Sequence, residues 1–153
     1  MEALEKLRRV ADTRGFIIRE IPRDLWKETY PTYNAVCDSN YRRIMYSGSL
    51  FHSEHHLACT LAHELGHMFF NTDPSNYDSL YRFNGKKLEE FDLLDRVVWF
   101  EQEVIAWDIG KEVLDEMRLP YVSSMDFYKN ENLRAYRKIL GLQDVELFSW
   151  KNI

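Results

Sequence analysis

The run "LACTLAHELGHMFF", Leu57 to Phe70, constrains this chain more than any other stretch. Leu57, Ala58, Leu61, Ala62, Leu65, Met68, Phe69 and Phe70 make it apolar on nearly every side of a helix, and such a helix is buried. Yet it carries His63, Glu64 and His67. Buried polar groups need partners. Residues i and i+4 lie one above the other on a helix, so His63 and His67 project from one face and can share a metal ion. Glu64 is turned about 100° from His63, close enough to reach a water on that ion without binding it. The bland alternative is two partly buried histidines on a core helix; the apolar surroundings weigh against it.

Imidazole nitrogen suits zinc, and two histidines leave room for a third protein ligand and a water. A metal lowers the pKa of such a water, and a neighbouring glutamate can take its proton and pass it to a leaving group. The H-E-x-x-H spacing of zinc peptidases has this logic. The third ligand is sought in "WFEQEVIAWDIG", where Glu101 and Glu103 both face apolar neighbours under a helical pattern. Glu101 lies beside Val97, Val98 and Ile105; Glu103 lies beside Trp99, Phe100 and Trp107. A carboxylate in such company is paired or bound to metal. Periodicity does not choose between the two.

The 153 residues suit one domain, spanning 1–153. With 45% hydrophobic and 14% aromatic residues the chain can build a core rather than stay disordered. The net charge of −5, without a basic stripe, disfavours direct nucleic-acid binding. Two cysteines, Cys37 and Cys59, make no disulfide framework and fit a reducing compartment. The start, "MEALEKLRRVADTRG", is a charged amphipathic helix without the apolar centre of a signal peptide, and no run approaches a membrane span. The expected location is cytoplasmic, with no membrane partner.

Along the chain, 2–13 reads as a helix with Leu4, Leu7 and Val10 on one side, ended by Gly15. "GFIIREI" reads as a strand, 23–31 is ambiguous, and "TYNAVCDSNYRRIMYSG" reads as a hairpin turning at "DSN". Ser53 is the expected N-cap of the motif helix, which runs to about Asn71. "NTDPSN" reads as a loop, and 77–87 as irregular or a short helix. From Lys87 to about Met117 the helical pattern returns, with Pro120 after its end. A last helix spans 124–140, closed by Gly141, and a short tail with an aromatic end follows. The fold class is α+β: a small antiparallel sheet packed on a helical core, with a zinc core over about 35–120 and a C-terminal helical extension over about 121–153.

"TLAHELGHMFF", preceded by a polar helix start and a hairpin, resembles the ImmA/IrrE family of metallopeptidases. That family pairs an H-E-[LI]-G-H helix with a later helix whose zinc-binding glutamate has an aromatic residue four positions on, typically in Phe-Ala. Glu103 has Trp107 at that offset, whereas Glu101 has Ile105. The resemblance, over about 35–120, therefore implies a zincin-like fold with His63, His67 and Glu103 holding one zinc ion and Glu64 as catalytic base. Departures are Asn71, where relatives often have a histidine, Val104, Ile105 and Asp108 around the glutamate, and a long segment 72–90. No helix-turn-helix domain is recognisable. What the resemblance implies is cleavage of a protein substrate, a transcriptional regulator such as a helix-turn-helix repressor of a mobile element or a stress response.

Other features have weaker readings. Cys59, one turn before His63, reads as core rather than ligand. His52, His55 and His56 read as a polar helix cap rather than a second metal site. Tyr77 or Tyr81 is a candidate phenol for stabilising an oxyanion. "YRRIMYS", 41–47, is a candidate sheet edge for an extended peptide. The competing functions are a non-cleaving, antirepressor-type binding module that keeps the zinc fold, and a zinc hydrolase acting on something other than a peptide. A pure binder has no need of Glu64.

Overall fold

The computed structural model describes residues 2–145, apart from the Val122 side chain; the aromatic end of the tail lies outside the described residues. Helix α1 (Glu2–Thr13) buries Ala3, Leu7 and Ala11, one residue per turn on one face. Strand β1 (Ile17–Glu20) follows, then the short helix α2 (Arg23–Thr29), in the stretch whose sequence was ambiguous. Strands β2 (Ala35–Asp38) and β3 (Arg43–Tyr46) form the expected hairpin. Helix α3 (Glu54–Thr72) carries the H-E-x-x-H residues, and Ser53 caps it by accepting a hydrogen bond from the His56 backbone N–H at 3.1 Å. After α4 (Tyr77–Tyr81) come the long α5 (Leu93–Glu116) and α6 (Val122–Ile139). Among the described residues no helix is long and apolar enough to cross a membrane.

The class is α+β, but the sheet is mixed rather than antiparallel. Its order is β1-β3-β2, with β1 parallel to β3 and β2 antiparallel to β3. The reason lies in the connections. A tight turn forces β2 and β3 antiparallel, whereas α2 separates β1 from β2 and lets β3 fall between them. Ile18, Ile44 and Cys37 share one cross-strand row, and Ala35 and Tyr46 share another on the same face. Ile18, Ile44, Ala35 and Tyr46 are buried in the core shared with the helices. The reading of 41–47 as a sheet edge is corrected by the same topology. β3 is the central strand, and the edges belong to β1 and β2.

Helix α5 also starts later than its periodicity implied. Leu88 and Phe91 keep the helical spacing but lie in a 3-10 turn and its end. Asp92 stops the helix there as N-cap. Its side chain accepts from the Asp95 N–H at 2.7 Å, and Asp95 accepts from the Asp92 N–H at 3.2 Å. The fully buried Asp95 also takes Arg82 Nε at 2.6 Å and Lys86 Nζ at 2.9 Å. A buried carboxylate with three donors is satisfied, and it ties the segment after α4 to the start of α5.

α3 and α5 form the centre of the core. A Cβ on Gly66 would overlap the Ala106 carbonyl oxygen, and one on Gly110 would stand 2.6 Å from the Ala62 carbonyl oxygen. The pairs Ala62–Gly110 and Gly66–Ala106 step by four residues in opposite directions. The helices therefore cross antiparallel, backbone against backbone. No side chain lies between them at this point.

Two outcomes follow for stability. Gly66→Ala should lower the melting temperature, because overpacking typically costs about 1–3 kcal/mol and a backbone oxygen cannot swing aside; a melt within a degree or two of wild type would contradict the crossing. Lys86, then Arg82 and the Asp92 N–H, hold the Asp95 carboxyl down at about 2 against the effect of burial. A carboxyl depressed in the folded state stabilises above its unfolded pKa of about 3.9, and that contribution is lost as pH falls towards 2. Asp95→Asn should therefore flatten the acid limb of thermal stability between about pH 4 and 2, as calorimetry across that range would read.

Candidate metal centre

The antiparallel register that sets Gly66 against Ala106 also sets His67 against Glu103 and His63 against Trp107. Glu103 Oε2 lies 2.6 Å from His67 Nε2 and 3.4 Å from His63 Nε2. His63 and Glu103 are buried, and His67 is partly so. Among the described residues this is the one group of histidine, cysteine and carboxylate side chains that converges, with ligand atoms within 4.8 Å of one another. Glu101, nearly 200° around the helix from Glu103, is half-buried and outside it. The choice that periodicity left open is thus made by the helix crossing.

The donor set suits a divalent cation. Despite the short distances, His63 Nε2 and Glu103 Oε2 have no hydrogen-bond partner. Leaving a buried polar atom unsatisfied costs about 1–3 kcal/mol, and this site does so twice within a few ångströms. Ligands of a tetrahedral zinc at about 2.0–2.1 Å stand about 3.3 Å apart; the 3.4 Å between His63 and Glu103 is close to this, and the 2.6 Å between His67 and Glu103 is shorter. Two imidazoles and a carboxylate are a zinc-type donor set.

Burial sets the electrostatics. It pushes the His63 pKa down to about 4, so this ring is neutral at pH 7 with a lone pair to offer. Burial pushes the Glu64 carboxyl up to about 7, the His67 ring opposing and Glu103 reinforcing. Glu103 is held well below the usual carboxylate range, His67 and His63 overcoming the effect of burial. His67 is raised, because Glu103 and Glu64 outweigh burial. Protons would therefore compete with a cation for His67, and affinity for such a cation would fall as pH drops.

The three residues open into a cleft of about 740 Å³. His56, Thr60, His63, Glu64, His67 and Asn71 of α3 line it. β2, from Ala35 to Cys37, also lines it, as do Leu80, Phe83 and Trp99. Glu64 thus faces the cleft beside the convergent group. Its Oε1 stays 3.9 Å from His63 Nδ1.

The C-terminal helix belongs to this site. From α6, Tyr128, Asn132 and Tyr136 line the cleft. Burial, then the charge of Glu103, raises the Tyr136 phenol. Trp107 stacks on His63 with centroids 4.1 Å apart and planes at 8°. Its Nε1–H donates to Asn132 Oδ1 at 2.9 Å. Sequence reasoning missed Tyr136 and Asn132. Their four-residue spacing is the only local signal, and it marks a helix face without saying what that face meets. The tyrosines singled out instead, Tyr77 and Tyr81, are 40% and 68% exposed and do not line the cleft.

The remaining candidates fall outside the centre. Cys59 is buried core, its Sγ 4.0 Å from the Tyr121 carbonyl oxygen. His52 stacks on His56, which stacks in turn on Tyr128 at the far end of the cleft. Asn71 donates to Ser39 Oγ at 2.9 Å and ties the end of α3 to the β2–β3 turn. Comparisons with family models, curated proteins and solved structures match nothing.

The two glutamates separate in a simple comparison. Glu103→Gln, nearly isosteric, should lose zinc and melt lower in its presence than wild type, since binding energy is coupled to folding. Glu101→Gln should keep about one zinc per chain. Elemental analysis and melts with and without chelator read both, and a zinc-free Glu101→Gln beside a zinc-loaded Glu103→Gln would reverse the assignment.

Proposed function

We propose that this protein is a zinc-dependent endopeptidase of the ImmA/IrrE type, hydrolysing a peptide bond in a protein substrate. The observation that carries the reading is Glu64. Its carboxyl is partly buried, faces the cleft and stands beside a convergent His63–His67–Glu103 group that does not need it as a ligand. A zinc ion held by His63, His67 and Glu103 would supply Lewis acidity, lowering the pKa of water and polarising a carbonyl.

The chain's own residues supply the rest. Glu64 accepts a proton at its carboxylate and returns it to the leaving amine, the general acid–base role. An extended substrate can pair with the β2 edge, whose backbone runs along the cleft. Tyr136 and Tyr33 line the same cleft and offer phenols to a substrate there, and Leu80, Phe83 and Trp99 add an apolar lining. A substrate that is a transcriptional regulator of a mobile element or a stress response rests on the family resemblance alone, and a cytoplasmic location goes with it.

Incubation with candidate regulators encoded nearby, with and without chelator, tests the reading. Chelator-sensitive cleavage supports it; chelator-insensitive binding without cleavage would favour a binding module. Glu64→Gln should keep its metal and lose about 10²–10⁴-fold in turnover. The base must be deprotonated, so kcat/KM should fall as pH drops through the Glu64 pKa. Cation charge favours the carboxylate, which puts that midpoint below the value of about 7 set by burial. An acid limb that survives in Glu64→Gln with the same midpoint would assign it to another group.

A further inference from the structure

Trp107 does more than fill space beside His63. The indole lies flat on the imidazole, with planes at 8° and centroids at 4.1 Å, so any rotation of one ring displaces the other. Stacking alone leaves the indole free to slide in its own plane. The hydrogen bond from its Nε1–H to Asn132 Oδ1 at 2.9 Å removes that freedom. A phenylalanine at this position would have no N–H to anchor. The anchor is itself well placed. α6 is joined to α5 by Lys129–Asp108 at 2.9 Å and Lys111–Asp126 at 3.1 Å, within the first and second turn beyond Trp107 along α5. The neighbouring Leu133 is buried in the core.

We propose that Asn132 is a positioning residue of the metal centre: through the Trp107 indole it sets the orientation of the His63 ring, and so the aim of His63 Nε2 at the cation. The chain of contacts runs Asn132 Oδ1, Trp107 Nε1–H, indole face, His63 ring. It couples the C-terminal helix to a ligand on α3 that α6 does not ligate beside. Groups that orient a metal ligand typically change affinity by about 10–100-fold when removed. The inference rests on the metal reading of His63, His67 and Glu103, and not on the peptidase reading.

A double-mutant cycle on zinc affinity tests it, read by competition with a chromophoric chelator at fixed pH. Asn132→Leu removes the acceptor at similar volume and should weaken zinc about 10–100-fold. Asn132→Asp keeps an acceptor oxygen and should restore affinity to within a few-fold of wild type. In the Trp107→Phe background the donor is gone, so Asn132→Leu should have no further effect, a strong non-additivity for residues in contact. Tryptophan fluorescence of the metal-free protein should also change with Asn132→Leu and not in the Trp107→Phe background. A general packing role predicts the same loss in both backgrounds, and that result would overturn the proposal. So would wild-type affinity in Asn132→Leu. Should Asn132→Leu fail to fold, failure of Asn132→Asp to retain affinity has the same force. Wild-type protein that takes up no zinc would overturn the metal reading and this inference together, whereas zinc uptake without peptide cleavage would leave the inference standing.

Discussion

The site depends on the close crossing of α3 and α5. Gly66 and Gly110 let the two backbones meet with Ala106 and Ala62, with no side chain between them. Interiors are packed too densely to accommodate a misplaced Cβ at backbone distance. The crossing therefore has one register, and that register sets Glu103 opposite His67 and Trp107 opposite His63. A shift of one residue on either helix would turn the glutamate away. The same contact that builds the core thus brings two histidines and a carboxylate from distant parts of the chain to one point.

Around this centre the chain leaves polar groups unsatisfied at the candidate metal site and satisfies them elsewhere. His63 Nε2 and Glu103 Oε2 are buried without hydrogen bonds. Asp95, equally buried, takes Arg82, Lys86 and the Asp92 N–H. The contrast separates two uses of buried charge. Asp95 makes the ion pairs and caps that hold the wall of the cleft to α5. Glu103 and the histidines direct their lone pairs at a shared point, which a cation would satisfy and a hydrogen bond between them does not.

The cleft is assembled from elements that no single stretch of chain announces. β2 presents its edge only because α2 separates it from β1 and β3 takes the middle of the sheet. α6 reads locally as an amphipathic helix beyond the resemblance, yet it contributes Tyr128, Asn132 and Tyr136 to the lining. The late start of α5 has the same character. Leu88 and Phe91 continue the apolar spacing, but the Asp92–Asp95 capping box and the Arg82 and Lys86 ion pairs end the helix before them.

What the sequence determined by itself is local. The four-residue spacing of His63 and His67 puts them on one helix face, Ser53 caps that helix, the apolar run buries it, and Gly141 ends the last helix. These follow from backbone geometry within a few turns of chain. The tertiary structure decided the rest: Glu103 rather than Glu101 beside the histidines, β2 rather than β3 at the sheet edge, and Asn132 and Tyr136 at the centre. Each of these turns on how one element is rotated and registered against another. A helical period specifies a face but not its partner, and close packing between glycines chose the partner.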